Sequence, residues 1–144
     1  MDSLAATTSG FVGACTLTLL HETARKTVPN APRIDILGKR ALSKLLPSGI
    51  SPSEETLHKA SLAGDIASNA TYYGLVSLDS PKNGVRNGAI LGLAAGLGAV
   101  FLPGPLGLGE KPSNRTTATQ LMTIGWYLAG GLAAGLTYRL LGKR

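Results

Sequence analysis

GAILGLAAGLGAVFLPGPLGLG at residues 88–109 and TTATQLMTIGWYLAGGLAAGLTY at residues 116–138 contain no Asp, Glu, Lys or Arg. Each is about as long as the roughly 20 apolar residues that a bilayer's hydrocarbon core demands. A charged side chain at mid-helix costs roughly 2.5–3.5 kcal/mol on insertion. Two neutral runs of this length therefore predict an integral membrane protein. The 44% hydrophobic content is ordinary for a water-soluble chain, but many of the 19 glycines fall inside these runs, and Gly is frequent in membrane helices.

Working outward, the reading is an all-α transmembrane bundle forming a single domain, with spans at about 3–27, 57–78, 82–102 and 117–140. Asp2 or Ser3 can cap the first helix, and Pro29 and Pro32 stop it. Over 33–46, Ile34, Leu37, Ala41 and Leu45 recur at helical spacing while Arg33, Lys39, Arg40 and Lys44 cover the remaining surface. That pattern predicts a short basic interfacial helix on lipid headgroups, where each cation contributes about 1 kcal/mol near an anionic leaflet. Ser51-Pro52-Ser53-Glu54 reads as a capping box for the next helix, and Ser80-Pro81 and Thr117 with Gln120 as further helix starts. Ser61, Asp65, Ser68 and Tyr72 share one face of segment 57–78, a polar stripe expected to turn into the bundle.

The net charge of +6 belongs to the connections and chain ends, where membrane anchoring uses it. Aromatic residues do not interleave with the basic cluster, so no base-stacking surface is expected and nucleic acid is excluded as a partner. With four spans, nine basic residues share one side against five; if 57–78 does not cross, twelve share one side and only Lys111 and Arg115 the other. The three-span alternative fits the positive-inside rule better, whereas the length and stripe of 57–78 favour crossing. Both place 25–59 in the cytoplasm and the N-terminus outside.

Gly84, Gly88, Gly92 and Gly96 form a four-residue ladder that would let another backbone approach closely. Gly131 and Gly135 offer a matching surface, on the same chain or on another copy. His21, Glu22, Asp65, Asn69, Arg115 and Gln120 are expected to form an intramembrane polar cluster, either a proton- or ligand-handling pocket or hydrogen bonds that fix helix register. His21-Glu22 begins a zinc-protease helix motif, but Arg25 stands where the second His is needed. Gly104 to Lys111 lacks the Gly-Lys-Ser/Thr ending of a phosphate loop. Cys15 is alone, so no internal disulfide is possible. A cleavable leader would need a basic start that Met1-Asp2-Ser3 lacks. No metal, cofactor or catalytic set is expected, and the role is read as non-enzymatic: a structural or accessory subunit, a homo-oligomer or part of a larger membrane complex. The alternative is a small proton-coupled carrier using Asp65 with His21 and Glu22.

Leu20-His21-Glu22-Thr23-Ala24-Arg25, Leu62-Ala63-Gly64-Asp65, Tyr72-Tyr73 and Leu102-Pro103-Gly104-Pro105-Leu106-Gly107 together resemble a group of small, uncharacterised bacterial inner-membrane proteins. The resemblance implies a multi-pass inner-membrane location and carries no activity or site residue.

Overall fold

The structure, a computed structural model, describes residues 2–142. Among the described residues there are six α-helices and no strand: α1 (Ser3–Thr27), α2 (Ile34–Leu45), α3 (Glu54–Gly74), α4 (Gly84–Phe101), α5 (Lys111–Asn114) and α6 (Thr117–Leu141). Two short 3₁₀ segments, Leu75–Leu78 and Pro81–Asn83, join α3 to α4.

Helix starts follow the capping chemistry, with shifts. Asp2 Oδ1 accepts the Leu4 and Ala5 N–H groups at 3.1 and 3.3 Å and so begins α1. The cap of α3 is Ser53 rather than Ser51, its Oγ accepting the Thr56 N–H at 3.2 Å. The cap of α6 is Thr116 rather than Thr117, accepting from Thr119 N–H at 3.1 Å. Ser80 makes no side-chain cap bond; Pro81 opens a 3₁₀ turn, and the α-helix starts only at Gly84.

The four long helices alternate in direction. A Cβ on Gly13 would lie 2.8 Å from Gly130 O, and Thr119 Oγ1 donates to Asn30 O at 2.7 Å, so α1 and α6 run antiparallel. Gly10 meets the backbone of Ala70 and Gly74, which sets α3 antiparallel to α1. All four rungs of the glycine ladder are buried against α6. Gly84 approaches Gly135, Gly88 approaches Gly131, Gly92 approaches Tyr127 and Leu128, and Gly96 approaches Ile124. A Cβ on Gly92 would sit 2.7 Å from both Leu128 Cα and Tyr127 O, closer than real side chains come. The ladder's partner is thus α6 of the same chain.

The interior mixes small and hydroxyl-bearing residues with a few large ones, Leu17, Tyr73, Val76 and Val100 among them, while many large apolar side chains lie outside. Ser9, Ala14, Thr119, Thr123 and Ala134 are fully buried, whereas Leu4, Phe11 and Leu19 of α1, Ile90 and Phe101 of α4, and Leu121 and Leu140 of α6 are each more than half exposed. Two helical segments, Ser3–Thr27 and Pro81–Phe101, are long and apolar enough to cross a bilayer. The reading from sequence expected four. Although α6 is neutral as far as Tyr138, Gly, Thr and Gln dilute it, and α3 carries Glu54, Glu55, Lys59 and Asp65. Length and composition give two such helices.

At the end of the bundle where α1 stops and α3 begins, α2 is fastened to the chain's later connections. Ile34 and Leu37 are buried, and the Arg33 N–H donates to Pro112 O at 2.7 Å. Arg40 donates to Leu108 O at 2.6 Å and Lys44 to Leu106 O at 3.0 Å. Gly107 (φ 71°) and Gly109 (φ 86°) supply the left-handed backbone on which those carbonyls turn toward α2. The four basic residues assigned to lipid headgroups are therefore engaged within the chain, Arg33 with Asp35 and Lys39 with Glu54 completing the set. Arg40 and Lys44 nonetheless remain exposed at the surface.

Candidate functional site

Three helices converge on one narrow cavity. Thr18, His21 and Glu22 come from α1, Asp35 and Gly38 from α2, and His58, Ser61 and Asp65 from α3. The spacings explain the convergence: positions 18, 21 and 22 lie on one face of α1, and 58, 61 and 65 on one face of α3. Gly38 lets α2 lie close, since a Cβ there would stand 3.5 Å from Ser61 Cβ. The cavity measures about 20 Å³, room for about one water molecule.

His21 is 7% exposed, and its Nε2 has no hydrogen-bond partner among the described residues. Its ring stands edge-on to Trp126 at 5.4 Å and to Tyr127 at 5.6 Å, so α6 holds it from behind. Two of the three carboxylates are compensated. Glu22 accepts from Arg25 Nε and Nη2 at 3.0 and 2.7 Å, and Asp35 accepts from Arg33 Nε and Nη2 at 2.8 Å each. Burial pushes the Asp35 carboxyl up, yet the bidentate Arg33 pair outweighs it and holds the group below the usual carboxylate range. Asp65 takes part in none of the ion pairs among the described residues.

The expected six-residue polar cluster divides. His21, Glu22 and Asp65 share the cavity. Asn69 donates instead to the backbone of Asp65 at 2.9 Å, inside its own helix. Gln120 bonds the Asn114 side chain, and Arg115 is exposed. Arg115 lies in the connection between α5 and α6 and Gln120 in the first turn of α6, where α5 packs against α2, α4 and α6. The polar stripe on α3 also turns in only partly. Ser61 is buried and Tyr72 half-buried, but Ser68 is exposed and bonds its own helix, while Tyr73 and Val76 make the deepest contacts.

Asp35, His58 and Ser61 are cavity residues that the polar-cluster reading missed. His58, Ser61 and Asp65 do recur at helical spacing, a signal visible in the sequence. Asp35 had none, since its helix reads as a lipid-surface element. No group of three His, Cys, Asp or Glu side chains converges as a metal-binding set among the described residues. The arrangement offers proton binding and water-mediated hydrogen bonding at His21, His58 and Asp65. No protein-family model, curated protein or solved structure matches the chain.

Proposed function

We propose that this chain is a multi-pass α-helical protein of the bacterial inner membrane, a non-enzymatic structural or accessory subunit whose spans are α1, α3, α4 and α6. The observation that carries the reading is the inverted distribution of side chains. Leu4, Phe11, Ile90, Phe101, Leu121 and Leu140 face outward, while Ser9, Ala14, Thr119, Thr123, Ala134 and the glycines of α4 are buried at the helix contacts beside Leu17, Tyr73 and Val76. In water so many exposed large apolar side chains would favour association, because large contiguous apolar patches are rare on soluble monomers. In hydrocarbon it needs no covering, and small interior residues are what close helix contact requires. Because α6 occupies the glycine ladder, self-association or docking into a larger membrane complex would use the outward faces.

The reading places α2 and 25–59 at the cytoplasmic surface, with the N-terminus outside. Fractionation tests it: the full chain should stay with membranes through alkaline carbonate washing and need detergent for extraction. Recovery as a monodisperse species in aqueous buffer without detergent overturns it.

A proton-coupled carrier is the second reading, favoured by the shared cavity of His21, Glu22 and Asp65. It ranks below the first because carriers build sites from broken helices, whereas α4 ends at Phe101, ahead of Pro103. Proton flux into proteoliposomes decides it: flux lost in Asp65→Asn supports a carrier, and equal flux removes Asp65 from any transport path.

A further inference from the structure

We propose that the chain carries a site for one anionic phospholipid, with its headgroup on Lys39, Arg40 and Lys44 and an acyl chain in the groove between α3 and α4. This rests on the membrane reading above and adds to it a specific ligand class and place.

The groove exists because α4 presents short side chains where it faces α3. Ala94, Ala95, Gly98 and Ala99 recur on one face and lie along an opening of about 430 Å³. Higher up, the Tyr72 hydroxyl donates to Leu91 O at 2.9 Å and bridges the two helices. Below that bridge α4 contributes Ala94, Ala95, Gly98 and Ala99 to the lining. Leu106 lines the groove at its lower end.

A second cavity of about 390 Å³ has Gly107, the next residue in the chain, in its lining, with Ile36, Lys39, Arg40, Ser43 and Lys44 of α2 and Glu54 and Leu57 of α3. Three cations face one carboxylate there, and that carboxylate is already paired with Lys39 at 3.1 Å. Arg40 and Lys44 each give a proton to a loop carbonyl but retain further N–H donors. An apolar slot and a cationic cavity whose linings include the neighbouring residues Leu106 and Gly107 fit an amphiphile with a negative head. Free phosphate would leave the groove empty, and a zwitterionic lipid would bring a second cation to a site already positive.

Retention of lipid by the detergent-purified full chain, read by native mass spectrometry, tests the assignment. Phosphatidylglycerol and phosphatidylcholine with identical acyl chains are the probes. The wild type should retain phosphatidylglycerol preferentially, by roughly fivefold for each cation in contact. The Arg40→Gln/Lys44→Gln variant, which removes both positive charges, should lose that preference. Gly98→Leu should lower retention of both lipids; an added Cβ there meets only the flexible tip of Leu102, at 3.3 Å. Equal retention of the two lipids by the wild type, or either variant behaving as the wild type does, overturns the site. A chain that is monodisperse without detergent overturns the membrane reading itself, a result distinct from equal retention.

Discussion

Tyr73 shows how single side chains hold these helices in register. Its side chain is fully buried, and its hydroxyl donates to Tyr127 O at 2.7 Å, tying α3 to α6 across the body of the bundle. Tyr73→Phe should therefore destabilise the fold by about 0.5–1.5 kcal/mol, the ordinary net worth of such a bond, read by denaturant titration of the detergent-solubilised chain. No measurable change would mean that this bond does not hold α3 on α6. Asp79, at the turn between α3 and α4, makes a different kind of contribution. The Ser80 N–H, then the Asn83 and Asn87 side chains, hold its carboxyl below the usual 3.8. A lowered folded value means the contribution is complete above the unfolded value and fades as pH falls through the folded one. The melting difference between wild type and Asp79→Asn should accordingly shrink between about pH 7 and about pH 3; a gap that holds constant would remove Asp79 from the acid response. Of the cavity, His21, Glu22 and Asp65 were legible because an ionisable residue in a neutral run stands out. Asp35 was not, since only the three-dimensional seating of α2 brings it there.

Between α4 and α6 the deciding quantity is the distance between backbones. At Gly92 an added methyl would meet Leu128 Cα and Tyr127 O at 2.7 Å, and helix backbone cannot swing aside. Gly92→Ala should cost about 1–3 kcal/mol through forced separation of the helices. Gly125, on α6, has nothing within 4 Å of the same added atom. Gly125→Ala should stabilise by about 0.5–1 kcal/mol through restricted backbone freedom. Opposite signs in thermal melts would establish the contact, whereas two equal effects would dissolve it. Helix boundaries were the most legible feature: Asp2 as cap and Pro29 as stop bracket α1 as read from sequence alone. Caps slipped at Ser53 and Thr116 because Ser and Thr flank both starts, and composition does not choose which hydroxyl reaches the free N–H. The footing of α2 was illegible for another reason. Its partners are backbone carbonyls of Leu106 and Leu108, which leave no mark in residue identity.

Across the whole molecule, the proposed four-span path draws its support from what lies together at one end of the bundle. Counting basic residues favours three spans, with Lys111 and Arg115 alone on the far side. Yet Arg40 donates to Leu108 O at 2.6 Å and the Arg33 N–H to Pro112 O at 2.7 Å. A three-span path would put the partners of both bonds on opposite sides of the bilayer, across a hydrocarbon core about 30 Å thick. The helix at issue, α3, also runs beside α1 from Thr18 and Leu62 to Gly10 and Gly74, so it reaches the same depth. Charge bias is a tendency of short loops, while a hydrogen bond is a distance, and these two distances favour the proposed four-span path. Single cysteines at Ser48, Ser80 and Lys111, in a Cys15→Ser background, convert this into a measurement. All three positions are exposed, unlike Ser113, which is fully buried. In sealed, oriented vesicles an impermeant thiol reagent should label Ser48→Cys and Lys111→Cys alike and Ser80→Cys oppositely. Matching labels at Ser48→Cys and Ser80→Cys, with Lys111→Cys opposed, would show that α3 does not cross and that the contacts joining α2 to 106–112 do not form in the bilayer.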